Sequence, residues 1–293
     1  MAVDKLALIK EVRERTNGGM VDVKKALEAS DWDAEKAITW LKSNGKIKAA
    51  KKSGRVSAEG LVSIFGDHNR ALIVELNCET DFVVKNEKFK AALDLIAKAL
   101  FDAKVKNDAD VSNVLVNKEP LHEFVDNLTA TIGEKISFRR FNIVEAHAGE
   151  ILGSYVHING QVGAIVKVKG NHAESARNVA MHLSAMKPEF IFVNDVPQAR
   201  IETFKAEFVK PAGFENKPAA IQERILQGSL DKKLSEVVLV KQPFMIDDSV
   251  SIEKYLANHQ STLVEAVRYS VGEGIEKVVS DFASEVAAQM GNK

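Results

Sequence analysis

Two stretches of the chain, 91 residues apart, follow the same plan of strand, tight turn, strand and helix. The first covers Glu59–Leu76 with a turn at Gly66-Asp-His-Asn69, and the second covers Glu150–Val168 with a turn at Asn159-Gly160. Asn-Gly between apolar runs predicts a hairpin, because both central residues of a type I′ turn need positive φ. The repeated plan therefore predicts two related subdomains, each with a hairpin-based antiparallel sheet backed by helices.

A helix is expected after each hairpin. Apolar residues at helical spacing predict helices over Asn86–Ala103 and Ala173–Met186. Three further core elements are expected, namely a helix that ends at Ile132-Gly133, a strand over Lys135–Val144 and a strand over Leu263–Val271. Helices segregated from antiparallel strands in this way place the chain in the α+β class.

The first 55 residues predict a separate module of three short helices. The glycines of Thr16-Asn-Gly-Gly19 end the first helix, since glycine readily adopts the positive φ of a C-terminal cap. A second short helix follows, and a third begins at Asp31 or Asp33. Three helices in so short a stretch predict a small bundle of the ubiquitin-associated type.

The second half of the chain contains an insertion. Two helical segments, each with a narrow apolar stripe, are joined by Pro211-Ala-Gly213. This pattern predicts an antiparallel coiled-coil hairpin that projects from the body. Beyond it, apolar residues at helical spacing predict a final amphipathic helix after Gly272.

The expected domain organisation has six parts. They are the N-terminal module and linker at 1–55, the first core subdomain at 56–146, the first part of the second subdomain at 147–190, the coiled-coil hairpin at 191–235, the second part of the second subdomain at 236–271 and the C-terminal helical module at 272–293. A chain of 293 residues is long enough for several such parts.

Composition narrows the functional classes. The chain carries 40 basic and 41 acidic residues, a balance that argues against a general polyanion binder. Cys78 is the only cysteine, so neither an intrachain disulfide nor a cysteine zinc cage can form. There is no run of 18 apolar residues and no signal-peptide pattern at Met1, so we expect a soluble, cytoplasmic protein without a membrane partner.

The stretch Glu75-Leu-Asn-Cys-Glu-Thr-Asp-Phe-Val-Val-Lys85 joins the second predicted strand to the helix after it. A carboxylate, Asp81, and a large aromatic side chain, Phe82, sit side by side at this junction. Asp81 could cap a helix while Phe82 fills the core, which is the common arrangement. Alternatively, both side chains are displayed outward for binding, as residues at such junctions often are.

Two motifs of the chain resemble signatures of the elongation factor Ts family. One is Glu75–Lys85, whose Thr-Asp-Phe-Val core at 80–83 is intact, with Val84 where the family has a small residue. The other is Arg13-Glu-Arg-Thr-Asn-Gly-Gly-Met-Val-Asp-Val-Lys-Lys-Ala-Leu27, preceded by Val12 where leucine is usual. The two motifs occur in the expected order, and the resemblance runs the length of the chain, including the inserted hairpin.

The resemblance implies a function and a partner. Members of this family are bacterial nucleotide-exchange factors for the GTPase elongation factor Tu. The implied partner is therefore elongation factor Tu, in both its GDP-bound and its nucleotide-free form. The implied mechanism is that Asp81-Phe82 inserts into the partner's G domain and disturbs its Mg²⁺ and nucleotide site. The positions implied to contact the partner are Thr80, Asp81, Phe82, Val83, Met20, Val21, Lys24, Ile132, Gly133, His157, Met245 and Ile246.

Several of these residues also have a structural interpretation. Met20 and Val21 could be core or staple residues of the N-terminal module. His157 could be an ordinary polar residue of a hairpin, and Met245 and Ile246 could simply pack inside the fold. Whether the chain dimerises through its hairpin stays open.

A second interpretation is a scaffold that binds protein or RNA. Lys42–Arg55 contains six basic residues and no acidic one. The stripe lacks the interleaved aromatics of a single-strand binding surface, which favours a solvated linker helix over a nucleic-acid site. No specific nucleic-acid partner is therefore expected.

A third interpretation, a cysteine enzyme, would need a nucleophile at Cys78 with a histidine nearby. Cys78 lies in a predicted buried strand, which favours a small core residue. The chain has no Gly-x4-Gly-Lys-Ser/Thr loop and no histidine–carboxylate cluster at metal-ligand spacing. We therefore expect no cofactor, no metal and no catalytic residue, and a protein that acts by binding.

Overall fold

The computed structural model describes residues 4–16 and 18–276 and has a mixed α-helical and β-sheet fold. The described helices are α1 Lys5–Thr16, α2 Met20–Ala29, α3 Ala34–Lys52, α4 Asp81–Val84, α5 Glu87–Asp102, α6 Asp108–Val111, α7 Leu121–Ile132, α8 Ala173–Met186, α9 Gln198–Ala206, α10 Ala219–Val237 and α11 Ile252–Asn258. The described strands are β1 Glu59–Gly66, β2 Arg70–Cys78, β3 Leu115–Val116, β4 Glu119–Pro120, β5 Ser137–Glu145, β6 Glu150–Val156, β7 Val162–Lys169, β8 Pro243–Phe244, β9 Asp247–Ser251 and β10 Thr262–Ser270.

These elements confirm the two predicted hairpins and the helix after each. One three-stranded sheet has the order β1-β2-β5, and the other has the order β10-β7-β6. In the second hairpin, Gly160 has a φ of 69°, but Asn159 does not have a positive φ and residues 157–161 connect the two strands, so the hairpin forms without the predicted type I′ turn. Short ribbons β3-β4 and β8-β9 complete the described strands.

The chain divides into two compact units. The first takes the described residues up to Leu61, those over Glu75–Arg140 and those from Val271. The second takes Val62–Val74 and Phe141–Ser270. Each unit therefore contains residues that are distant in sequence.

In the first unit, helices α1 to α3 enclose a small core of their own, formed by Val12, Val23, Ala26, Leu27 and Ala37. Asp33 caps α3, its carboxylate accepting the Lys36 N–H at 3.0 Å. Helix α3 runs on to Lys52, so the expected linker is the second half of one continuous helix. That half packs on α7.

Helices α3 and α7 approach each other closely at Gly45. A Cβ at this position would lie 2.9 Å from Oδ1 of Asn127 and 3.7 Å from Cβ of Ala130. A larger residue here would displace the Asn127 amide, while its contact with Ala130 would be an ordinary one.

In the second unit, α8 lies directly on β6. A Cβ at Gly153 would lie 2.2 Å from the backbone nitrogen of Arg177, so glycine is needed where helix and strand meet. Buried residues of β7, α8 and α11, among them Val166, Leu183 and Leu256, form the core. Burial of these apolar side chains supplies the main stabilisation of this unit.

The insertion contains two helices of unequal length. Helix α9 has 9 residues and α10 has 19. Phe208 and Phe214 pack edge to face at 5.5 Å near the connection. The coiled-coil character remains a prediction, and the predicted final helix lies largely in 277–293, outside the described residues.

Candidate partner-binding site

Asp81 and Phe82 lie on α4, a helix of four residues between β2 and α5. Thr80 precedes the helix in an extended conformation, with φ −127° and ψ 157°. Asn86 then starts α5, its side chain accepting the Lys88 N–H at 2.9 Å. The junction is thus a single tight turn between two well-packed elements.

Phe82 is 78% exposed, although it is a large aromatic residue next to a buried strand. The interpretation of Phe82 as a core residue is therefore wrong. Asp81 forms a long ion pair with Lys85, 3.9 Å between Oδ2 and Nζ, and both side chains are mainly exposed. The structure thus displays a carboxylate and an aromatic ring side by side.

Val83 differs from its neighbour because it is only 6% exposed. Successive helical residues point about 100° apart, so the turn that exposes Phe82 directs Val83 inward. The expectation that Val83 extends the exposed contact surface is therefore corrected. It instead packs α4 onto the fold beneath Phe82.

Thr80 is held by Glu134, which lies 54 positions later in the same unit. Its backbone N–H and its hydroxyl donate to the Glu134 carboxylate at 3.0 and 2.7 Å. Glu134 directly follows Gly133, which ends α7 with a φ of 92°. The expected contact positions Ile132 and Gly133 are thus brought close to Thr80.

In the N-terminal module, Met20 is 57% exposed and Val21 is 66% exposed. Both begin α2, and neither belongs to the small core of this module. Lys24 is also exposed and lies 3.8 Å from Glu28 on the same helix. The core interpretation of Met20 and Val21 is wrong, and all three side chains are open to solvent.

In the second unit, His157 lies exposed in the turn after β6, with Nδ1 3.0 Å from Oδ1 of Asn159. Its neighbour Ile158 is 97% exposed, an apolar residue that the sequence did not single out. Tyr155 packs against the imidazole ring with centroids 6.5 Å apart. The tip of this hairpin therefore presents an apolar side chain beside an imidazole.

Met245 and Ile246 form the two-residue connection between β8 and β9 and are 46% and 58% exposed. The packing interpretation of these two residues is wrong. The connection is held from below by His182 of α8, whose Nδ1 accepts the Met245 N–H at 3.2 Å. His182 is fully buried, and its Nε2 faces Oε1 of Gln242 at 3.0 Å.

The basic stripe is largely engaged within the first unit. Its ion-pair distances are 3.6 Å for Lys42–Glu119, 2.8 Å for Lys46–Glu123, 3.0 Å for Lys48–Asp22 and 3.2 Å for Arg55–Glu79. Lys52 donates to the carbonyl of Gly133. Such local pairing reduces the positive field that a phosphate backbone would meet.

Cys78 is fully buried and its Sγ donates to the carbonyl of Thr80 at 3.2 Å. Burial, reinforced by the charge of Glu134, raises the pKa of Cys78 to about 12. A thiol in this state is a poor nucleophile. Across residues 4–16 and 18–276, no cluster of three His, Cys, Asp or Glu side chains is arranged to hold a metal.

The sequence alone assigned no role to Glu75. It is fully buried in β2, 2.8 Å from Nη1 of Arg139 and 2.6 Å from Nε of Arg140. Burial alone would raise the pKa of Glu75, but the bonds from Arg139, Gly272 and Arg140 hold it below its ordinary value. A carboxylate within an apolar strand indicates that basic partners must neutralise it, so the sequence contained a signal for this cluster.

The comparison with known proteins defines the class. The family model described as elongation factor TS matches residues 79–273, a range that includes Phe82, Glu134, His157 and Met245. The matching family consists of translation elongation factors. None of the helices that the structure describes combines the length and apolar character that crossing a bilayer requires.

Individual relatives give the same result over nearly the whole chain. The chain is 51% identical over 289 residues to elongation factor Ts of Mycoplasmopsis synoviae (strain 53), covering 98% of this chain and 99% of that protein. It is 41% identical over 290 residues to elongation factor Ts of Limosilactobacillus reuteri (strain DSM 20016), covering 99% and 100%. The chain therefore belongs to the elongation factor Ts family.

Proposed function

We propose that this chain promotes GDP release from elongation factor Tu, acting as a guanine-nucleotide exchange factor and not as an enzyme with a substrate of its own. The observation that carries the proposal is Phe82, a 78% exposed aromatic residue on a short helix anchored at both ends. Burying such a side chain in a partner would contribute about 1.5–3 kcal/mol. That free energy is available only where the partner opens to accept the ring.

The chemistry of exchange sets the requirement. A GTPase holds GDP through backbone amides, a lysine and Mg²⁺. An exchange factor speeds release only by binding the distorted, nucleotide-poor state more tightly than the GDP state. The coupling is reciprocal, so GDP weakens the factor by the same ratio, and each 1.4 kcal/mol of coupling corresponds to about tenfold.

Asp81 and Phe82 have different parts in this proposal. Phe82 acts as a rigid wedge between elements of the partner's G domain. Asp81, beside it and mainly exposed, offers an acceptor that competes for donors near the Mg²⁺ site. Thr80 and the buried Val83 support the wedge from the chain's own side.

Other positions, all exposed except the partly buried Ile132, would keep the wedge in register. They are Met20, Val21, Lys24, Ile132, Gly133, His157, Met245 and Ile246. A contact that uses so many positions should bury more than about 1,000 Å². Through this surface the chain would bind elongation factor Tu in both its GDP-bound and nucleotide-free forms.

The finer architecture belongs to the same proposal. The three-helix N-terminal module is proposed to be of the ubiquitin-associated type and to dock on the partner. The insertion is proposed to be a coiled-coil hairpin, and its exposed Ile221 and Leu226 (46% and 42%) would be covered if two copies of the chain associate. A translation factor of this type would work in the cytoplasm, with no membrane or specific nucleic acid as its partner.

The test is release of a fluorescent GDP analogue from elongation factor Tu. Wild type should accelerate release, and Phe82→Ala should lose most of the acceleration. Leu115→Ala is the matched control, because Leu115 is 59% exposed in the same unit but lies outside the proposed contact positions. If Phe82→Ala accelerates release at the wild-type rate, Phe82 does not act as the wedge. If wild type does not accelerate release from an active partner, the chain is not an exchange factor.

A further inference from the structure

We infer that Glu134 is a positioning residue, whose carboxylate holds the segment carrying Phe82 in fixed register with the Ile132–Gly133 turn. The inference rests on the proposed function, since it concerns how the wedge is presented. Two pairs of neighbouring residues of the first unit, Glu79–Thr80 and Glu134–Lys135, bind each other.

The first half of this arrangement runs from Thr80 to Glu134. Both hydrogen-bond donors of Thr80, the backbone N–H and the hydroxyl, donate to the two oxygens of one carboxylate, at 3.0 and 2.7 Å. Hydrogen bonds to an ionised acceptor are among the stronger ones in proteins. The residue that immediately precedes α4 is thus fixed twice.

The second half runs in the opposite direction, from Lys135 to Glu79. The Lys135 backbone N–H donates to Oε1 of Glu79 at 2.5 Å, and the same carboxylate lies 3.2 Å from Nη1 of Arg55. The Lys135 ammonium in turn donates to the Arg55 carbonyl at 2.7 Å. Residues 79–80 and 134–135 therefore form a reciprocal clasp, in which each pair supplies one carboxylate to the other.

The clasp matters because α4 cannot hold itself. A helix of four residues has too few internal hydrogen bonds to be stable alone, and Phe82 itself is mostly in solvent. Its position is set by the buried Val83 on one side and by the fixed Thr80 on the other. A wedge held in advance avoids the ordering loss that a mobile segment would suffer when it inserts into the bound partner.

Substitution of Glu134 by alanine removes both acceptors and leaves the wedge chemically intact. Glu134→Gln should restore function, because its amide oxygen can accept the Thr80 N–H while its NH2 donates to the hydroxyl. The control is Glu123→Ala, which removes a carboxylate of neighbouring α7 whose partner is Lys46 at 2.8 Å. These three variants separate positioning from a general loss of charge.

The experiment has two independent readouts. In the free protein, amide hydrogen exchange of Thr80 should accelerate about tenfold in Glu134→Ala, equivalent to loss of one charged hydrogen bond, and stay near wild type in the other two. With elongation factor Tu, the maximal rate of GDP release should fall about tenfold while the half-saturating concentration changes less than about twofold. Glu134→Ala combined with Phe82→Ala should be no slower than Phe82→Ala alone, because Glu134 acts through the wedge.

Three results would overturn the inference. They are unchanged Thr80 exchange in Glu134→Ala, a loss of rate that Glu134→Gln does not restore, and a double variant that multiplies the two single losses. If wild type itself gave no acceleration, the proposed function would fall and with it the role of the clasp in exchange. The Thr80 exchange rate would still decide whether Glu134 holds the segment.

Discussion

Gly272 and Glu75 are 197 positions apart in the chain, yet the Gly272 N–H donates to Oε1 of Glu75 at 2.8 Å. Arg139 and Arg140 bind the same carboxylate, and they also reach the backbone carbonyl and the carboxylate of Glu273. A fully buried charge is tolerated because several donors surround it. This cluster fixes the last described segment of the chain to strands β2 and β5.

Gly272→Ala should destabilise the fold more than Gly274→Ala. Both glycines have positive φ, at 70° and 76°, so alanine is strained at each. Only at Gly272 would the new Cβ lie 2.3 Å from the carbonyl oxygen of Ala58, whereas nothing lies within 4 Å at Gly274. Urea unfolding should give a loss of about 3 kcal/mol or more for Gly272→Ala and about 1 kcal/mol for Gly274→Ala. Equal losses would mean that the contact with Ala58 adds nothing.

Phe82→Ala and Phe89→Ala provide the same chemical change at two degrees of burial. Phe82 is 78% exposed and Phe89 is fully buried in α5, seven positions later. Thermal or urea unfolding should show a change within about 0.5 kcal/mol for Phe82→Ala and a loss of about 3–5 kcal/mol for Phe89→Ala. If Phe82→Ala lowers the free energy of unfolding by more than about 2 kcal/mol, Phe82 is a core residue after all.

Local patterns predicted the regular elements well, because periodicity and turn residues act over a few positions. Asn86 capping α5, Gly133 ending α7 and the Asn159-Gly160 hairpin are all of this kind. The exposure of Phe82 and the burial of Val83 required knowledge of how a four-residue helix rotates on the core. Sequence alone gives both residues the same apolar character.

The contacts that hold the candidate site could not be predicted in this way. Thr80 and Glu134 are 54 positions apart, and a glutamate after a helix-ending glycine has no distinctive pattern. Glu75 was detectable as a carboxylate in an apolar strand, but its arginine partners come from β5. Such partners are chosen by tertiary packing and not by spacing in sequence.

Cys78 should resist alkylation in the folded protein. It is fully buried, and with a pKa of about 12 its thiolate is scarce at pH 8, about one molecule in 10,000. Iodoacetamide at pH 8 should label the thiol rapidly in urea and very slowly without it, as mass spectrometry would measure. Cys78→Ala should also accelerate GDP release as wild type does. Loss of that activity in a folded variant would support the interpretation of the chain as a cysteine enzyme.

Stability should fall as the pH drops below about 6.5, partly because of His182. Burial lowers the pKa of His182 from its usual 6.5, although the bond to Gln242 opposes the change. The unfolded chain therefore takes up a proton near pH 6.5 while the folded chain does not. The neutral His182 therefore contributes its full share to the free energy of unfolding above the unfolded pKa. As the pH falls from the unfolded pKa to the folded pKa, that free energy decreases by at most about 1.4 kcal/mol per pH unit.

The same residue links this pH dependence to the proposed contact surface. Protonation at Nδ1 would remove the acceptor of the Met245 N–H, which positions the exposed Met245–Ile246 connection. Urea unfolding of wild type and His182→Gln between pH 5 and 8 should show a shallower acid loss in the variant, with His147→Gln, an exposed histidine of the same unit, as control. Parallel curves for wild type and His182→Gln would mean that another group causes the acid loss and that His182 does not couple pH to this connection.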